Sequence, residues 1–297
     1  ELSTSSRPPQ SSPPQPKKKK SPSFVNISNS GQTKTFTVFS LNLEDSTEQE
    51  KEQIQDIYMV VTQCKQLEPD IITLQHVTRK RRDKCRDVSS SLHHSFDLFE
   101  NEEKEDNETS TSRTTRELLF FRRTTVSILE PYYHDYDERI TKERRQLLCC
   151  TITIPHLFGE TPIHIMTTEL DEIQDSEHLR MQQMEMIKVV CQKKKNVILC
   201  CSLHAYDEDH EPVLQSIQMS SFQDAWIQTG CSIPLKMTYS MPTIDHPKKT
   251  MQRPDRILYK CDTKRPLFQL RNMNKRKLRN QGHRMLFITF QQPSSDT

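Results

Sequence analysis

The chain has 297 residues, a net charge of +2 and charged side chains at 28% of positions. That length holds one large domain or two ordinary ones, and the near balance of charge makes no global case for nucleic acid, so any such case must come from local clusters. With 33% hydrophobic residues and a mean hydropathy of −0.79, part of the chain is expected to stay unfolded; with only 4 Gly, a site built on several glycine-only backbone approaches is excluded.

No run is long and apolar enough to span a membrane, and no signal peptide is visible. Walker and dinucleotide-type glycine loops are absent. His164 and Asp171 have no Ser or Cys in an elbow context, so a hydrolase triad is unsupported. The 9 Cys show neither zinc-ribbon spacing nor a disulfide framework, and the pairs Cys149-Cys150 and Cys200-Cys201 fall in apolar runs, which favours a reducing compartment. Glu1 rather than an initiator Met opens the sequence, which leaves room for an upstream segment.

Residues 1–34 are rich in Ser, Pro, Gln and Lys and read as a disordered tail. Within it, Pro16-Lys17-Lys18-Lys19-Lys20 resembles a nuclear import signal, which points to the nucleus with the cytoplasm also open. The folded domain is expected over 35–291, with 292–297 a short tail. It opens with a strand over 36–41. A helix over 51–67 follows, apolar at Ile54, Ile57, Tyr58, Val61, Cys64 and Leu67. Pro69 stops that helix, and a buried strand over 71–74 runs into Gln75-His76. Such a strand-helix-strand unit places its useful residues at strand C-terminal ends.

Strands are then predicted over 96–99, 118–122, 126–129, 147–154 and 162–168, with the acidic segment 100–117 a mobile hairpin connection. A helix is predicted over 177–195; its face of Leu179, Met181, Met184, Ile187, Val190 and Cys191 reads as core packing. A buried strand over 196–201 leads into Ser202-Leu203-His204. Asp224-Ala225-Trp226 opens a helix or turn, and strands over 257–259 and 285–290 complete the set. Strands outnumber helices and several are continuously apolar, so two packed sheets with helices outside are expected.

In order, the strand ends carry Asn42, His76, Thr168-Glu169, Ser202 to His204, Pro254-Asp255-Arg256 and Gln281-Gly282-His283. This collinear series resembles the endonuclease/exonuclease/phosphatase superfamily, over about 35–290. The resemblance implies an α/β fold, a four-layer sandwich of two mixed β-sheets packed face to face with helices outside. The 5′-tyrosyl-DNA phosphodiesterase branch is the most similar. Ser40-Leu41-Asn42-Leu43-Glu44-Asp45 stands where that branch has Thr-Trp-Asn-Ile-Asp-Gly. Arg145-Gln146-Leu147-Leu148-Cys149 follows its Arg-Asn-Leu-Leu-Cys, and Ile165-Met166-Thr167-Thr168-Glu169-Leu170 follows Leu-Met-Thr-Ser-His-Leu. Arg180-Met181-Gln182-Gln183-Met184-Glu185-Met186 follows Arg-Met-Asn-Gln-Leu-Lys-Met.

The resemblance implies a Mg²⁺-dependent phosphodiesterase, yet the key positions differ. The Glu that holds Mg²⁺ in the family is His76, and the Asp that handles the water is Ser202. The Asn beyond it is His204, the branch's next Arg is Tyr206, and the branch's Trp is Met241. The family's His on the Thr-Ser-His run is Glu169, and the Asp before the final His is Gly282. Asn42, Asp255 and His283 are retained, and in the family the last two pair. Losing the metal, which supplies several kcal/mol of transition-state stabilisation, and the base, typically worth ~10²–10⁴-fold, points to a catalytically impaired pseudoenzyme. The alternative is an active 5′-tyrosyl-DNA phosphodiesterase with an altered metal site. By carry-over His76, His204 and His283 share one cleft, and three imidazoles suit Zn²⁺ rather than Mg²⁺. Arg79, Arg81 and Arg82 follow His76, and Lys275, Arg276 and Lys277 precede His283. If both clusters line the cleft they form a rim for single-stranded DNA ends, or for a protein partner.

Overall fold

Strand β1 (Thr35–Asn42) shows how the sequence builds layers. Side chains of a strand alternate between faces, so Phe36 and Val38 enter one apolar cluster while Phe39 and Leu41 enter another. A strand buried on both faces must lie inside a multilayer protein. The computed structural model describes residues 34–43, 50–78, 95–100, 115–136, 145–170, 177–204, 212–219, 221–230, 239–241, 250–252, 254–262, 266–277 and 284–293. All belong to one unit, Thr33–Thr297.

After β1 come α1 (Glu50–Leu67), β2 (Ile71–Thr78), β3 (Phe96–Phe99), β4 (Thr115–Arg122), β5 (Ser127–Asp135) and β6 (Gln146–Ile154). The one-turn α2 (Pro155–Phe158), β7 (Gly159–Glu169), α3 (Glu177–Cys191), β8 (Val197–Ser202) and α4 (Pro212–Met219) follow. The last elements are β9 (Gln223–Asp224), α5 (Ala225–Gln228), β10 (Tyr239–Met241), β11 (Thr250–Gln252), β12 (Asp255–Lys260), β13 (Gln269–Lys277) and β14 (Arg284–Gln291). One six-stranded sheet has the order β13-β14-β1-β2-β4-β3, the other β5-β6-β7-β8-β12-β9, and β10-β11 form a small ribbon. Both large sheets are mixed. β1 and β2 are parallel neighbours, as are β7 and β8; α1 and α3 make those crossovers, which parallel pairing requires.

The core divides by face. One cluster joins Phe36, Val38, Ile71 and Phe121 of the first sheet to Leu148, Ile165, Ile198 and Ile257 of the second. Phe39, Leu41, Ile72 and Leu74 pack outward with Val60 and Cys64 of α1. On the far side Leu147, Met166 and Leu199 pack with Met184, Ile187 and Cys191 of α3 and Val213 and Ile217 of α4. Helix, sheet, sheet, helix gives the expected four layers. Rings of Phe36, Phe158, Phe268 and Phe290 close one end of the seam between the sheets.

Several local expectations are corrected. Tyr58 is 57% exposed, while Cys64 and Leu67 of the expected face do pack on the core, joined by Val60; the side chains of Ile54, Ile57 and Val61 lie outside the described residues. α3 stops at Cys191 rather than 195, because the chain must turn there to bring Val197 into register with His164. Glu117 belongs to β4 and is buried, not part of a loop. The basic cluster before His283 falls on β13, a strand the apolar pattern does not predict. Its Lys and Arg residues are those of an edge strand, where charge protects an open rim from further pairing.

Candidate active site cleft

The faces that form the seam turn polar at one end. Continuing the alternation of Phe36 and Val38 places Ser40 and Asn42 inward. The same parity brings in Thr73 and Gln75 after Ile71, Thr167 and Glu169 after Ile165, Ser202 after Cys200, and Asp255 before Ile257. All are buried. Register puts them level: Asn42 faces Gln75 in the first sheet, and Ser202 lies between Glu169 and Asp255 in the second. Of the expected site residues, Asn42, Ser202 and Asp255 are therefore brought to one place by strand geometry alone.

His76 arrives differently. Its parity would turn it outward with Leu74, but the β2–β4 pairing has a bulge between Leu74 and Val77, and His76 adopts φ 55°. A bulge with a left-handed residue re-aims a side chain, and here the imidazole Nδ1 meets Glu169 Oε2 at 2.8 Å. His204, also in the left-handed region at φ 46°, sets Nε2 3.1 Å from Glu169 Oε1. Such conformations are uncommon for residues other than Gly, though His tolerates them better than most.

Glu169 is the centre of the site. Besides the two imidazoles it accepts a hydrogen bond from Asn42 Nδ2 to Oε1 at 2.9 Å, and Arg145 Nη1 lies 2.9 Å from Oε2. Arg145, just before β6, also donates to the Leu170 carbonyl at 2.7 Å. Gln75 Nε2 bridges the sheets beside this cluster, donating to Thr167 Oγ1 at 2.7 Å and Ser40 Oγ at 3.2 Å. Burial favours a protonated Glu169, but the Arg145 guanidinium, with His76 and His204, outweighs it and holds the carboxyl well below the usual range. Glu117, on β4 opposite the bulge, shows the converse. Burial first, then the charge of Glu169, push it up to about 8 against the opposing pull of Arg145. Glu169 and Glu117 are thus driven in opposite directions within one cleft.

Arg145 and Glu117 are not among the expected site residues, and Glu169 is expected only as the position of a family His, not as the hub. The signal that could have found Glu169 is an exchange of types. Where the resemblance sets a Glu at position 76 and a His at position 169, this chain has His76 and Glu169, the same two residue types transposed. His283 lies outside the described residues, as do Arg79, Arg81 and Arg82. Lys275, Arg276 and Lys277 lie on β13 at the site end of the first sheet. Lys275 and Ser40 both pair with Leu286, so Lys277 is level with Asn42.

The cluster around Glu169 does not fit Mg²⁺. Hard cations need oxygen ligands with free lone pairs; His76 offers nitrogen, both Glu169 oxygens already hold donors, and the Arg145 cation lies against them. Among the described residues no group of three or more His, Cys, Asp or Glu is arranged to hold a metal ion.

No family model and no curated protein matches the sequence. Solved structures do. TDP2 of D. rerio, complexed with a single-strand DNA product, superposes with a TM-score of 0.68 at 16% identity, over 86% of this chain and 98% of that one. TDP2 from C. elegans gives 0.63 at 16% identity, covering 86% and 75% of the two chains. The human Nocturnin catalytic domain, with bound sulfate, gives 0.65 at 16%, covering 87% and 94%. Two facing mixed sheets, helices on both outer faces and a polar cleft at one end of the seam give this chain the fold of the endonuclease/exonuclease/phosphatase superfamily.

Proposed function

We propose that this chain is a tyrosyl-DNA-phosphodiesterase-like protein that has lost metal-dependent hydrolysis and binds single-stranded DNA ends in the nucleus as a pseudoenzyme. One observation carries the reading: the cleft's ionised carboxylate is fully engaged by Arg145, His76, His204 and Asn42, so the charge a metal would neutralise is neutralised from within. The basic end of β13 supports the choice of ligand, because Lys275, Arg276 and Lys277 lie level with the cleft. The D. rerio TDP2 structure, which shares the fold, holds a single-strand DNA product. Lys17 to Lys20 support the nuclear placement.

The test is a phosphodiesterase assay on a 5′-phosphotyrosyl oligonucleotide with Mg²⁺, Mn²⁺ and Zn²⁺ in turn, run beside a binding titration with single-stranded DNA. The expected result is no metal-dependent turnover, with binding that weakens steeply with salt. Turnover with any of the three metals that vanishes in His283→Ala would establish the alternative, an active enzyme with an altered metal site that includes His76, His204 and His283. Binding that is undetectable or independent of salt would point to a protein partner instead.

A further inference from the structure

We infer that Cys149, Cys191 and Met166 form a three-sulfur site for a soft monovalent metal ion, Cu⁺, on the helix-covered face of the second sheet. The adjacent cysteines of the sequence are the starting point. Neighbouring side chains of a strand take opposite faces, so Cys150 enters the seam while Cys149 points outward beneath α3. Cys149 is paired directly with Met166 of β7, and side chains so paired stand about 5 Å apart at Cβ. Cys191, the last residue of α3, comes down on the same spot, and its thiol donates to the Met166 thioether, Sγ to Sδ 3.5 Å. Three elements thus deliver three sulfurs, each at most 2% exposed.

The two thiols also feel each other. Burial first, then Cys191, push the Cys149 thiol up, while the Tyr132 hydroxyl and the Lys194 ammonium pull it down. Burial raises Cys191 to about 12 against the pull of Lys260 and Lys194. Thiols so reluctant to ionise are inert as nucleophiles, and a metal that bonds strongly to sulfur displaces their protons. The counter-charge is already in place. Lys194 Nζ lies over the Tyr132 ring at 5.0 Å, and Lys260 Nζ donates to the Cys191 carbonyl at 3.3 Å.

The donor set decides the metal. Thiolate and thioether sulfur are soft ligands and select Cu⁺. Structural Zn²⁺ takes four Cys or His ligands, and iron–sulfur clusters take four Cys. Here a thioether holds the third place, and the cluster around it is built mainly of Leu147, Met184, Ile187 and Leu199. With bonds of about 2.3 Å, the length of a zinc–thiolate bond, sulfurs of a trigonal set stand about 4 Å apart, so the 3.5 Å contact of Cys191 with Met166 has to open by only about half an ångström. Binding exchanges two S–H protons, released to solvent, for two metal–thiolate bonds and one metal–thioether bond, with no change of oxidation state. The set then carries one net negative charge, which Lys194 and Lys260 offset. Entry is through the end of α3, where Gln192 and Lys193 are exposed and a helix opens most readily.

The experiment titrates the full, reduced chain with Cu⁺ under anaerobic conditions against a competing Cu⁺ chelator, with Tm followed in parallel. One equivalent held against the chelator and a raised Tm are expected for the parent chain, with X-ray absorption showing coordination by sulfur alone. Cys149→Ala and Cys191→Ala should each lose that equivalent. Met166→Leu keeps the core volume, so without metal it should melt like the parent, yet lose at least ~10-fold in Cu⁺ affinity. Cys150→Ala, one residue away on the opposite face, should bind as the parent does. Failure of the parent chain to hold Cu⁺ against the chelator overturns the proposal. So does binding that Met166→Leu and both cysteine variants retain at full strength, or that Cys150→Ala loses to the same extent. The site lies apart from the cleft, and the binding of DNA ends stands or falls on its own titration.

Discussion

Replacing Glu169 by Gln tests the heart of the site, because it keeps the shape and removes the charge. The carboxylate is 1% exposed and faces Arg145, itself 4% exposed, at 2.9 Å. Removing one partner of a buried ion pair costs about 3–5 kcal/mol, since the other charge stays desolvated. The Gln side chain also turns one acceptor into a donor, so at least one of the contacts from His76, His204, Asn42 or Arg145 becomes donor against donor. In a domain of this size such a loss lowers Tm by roughly 10 °C. Glu117 moderates the cost. Relieved of the Glu169 charge and still drawn by Arg145, it ionises at lower pH and serves as a substitute counter-ion, so the deficit should be larger at pH 6 than at pH 8. In the parent chain the depressed Glu169 adds stability above its ordinary value of 4.5, lost as pH falls through the folded value; the variant lacks that acid limb. Urea denaturation from pH 4 to pH 8 reads both effects. A change under about 1 kcal/mol across that range would refute the view that this ion pair holds the cleft together.

Further outcomes follow from the same geometry. Glu117 titrates near 8 in the fold against 4.5 as the ordinary value, so it favours the folded state below 4.5 and withdraws that support as pH rises through about 8. Glu117→Gln should therefore raise stability at pH 9 relative to pH 6 by roughly 2–3 kcal/mol against the parent chain, read by denaturant melts; equal pH slopes would contradict it. Ser202 Oγ is buried without a hydrogen-bond partner among the described residues, so Ser202→Ala should be neutral or stabilising by up to ~1 kcal/mol. Ser202→Asp, which restores the family's residue type, places a third carboxyl between Glu169 and Asp255 and should cost more than ~2 kcal/mol at pH 7, partly recovered on acidification. Lys275→Glu with Lys277→Glu should weaken single-stranded DNA binding and reduce the salt slope by about 0.7 for each lost phosphate contact; an unchanged slope would move the binding face elsewhere.

The transposed pair explains why so much of the fold and so little of the site could be read in advance. Apolar runs such as Ile71 to Leu74 and Val197 to Cys201 announce buried strands by composition, and the order of strand ends carried the resemblance. Glu169 stood out only as a His missing from its expected place. Its use as the hub for His76, His204, Asn42 and Arg145 depends on a bulge at Gln75-His76 and on contacts across up to 127 residues of sequence, neither of which a local pattern encodes. Glu117 was hidden for a related reason. An acidic residue beside an acidic stretch looks solvated, and only pairing with β2 takes it into the seam.

What the chain dictates by itself is the layer order. Period-two alternation in β1, β2, β7 and β8 requires a buried face on both sides of each strand, and the amphipathic α1 and α3 can only cover the outer ones. The polar ends of the same strands also had to meet, since Asn42, Glu169, Ser202 and Asp255 share parity with the apolar seam. What only the tertiary structure decided is the charge state of that meeting place. Whether Glu169 is free to take a metal or is bound from within depends on how close Arg145 and two imidazoles come to it, a few ångströms set by the packing of one sheet on the other. Electrostatic energy varies inversely with distance and steeply with burial, so those few ångströms determine the chemistry.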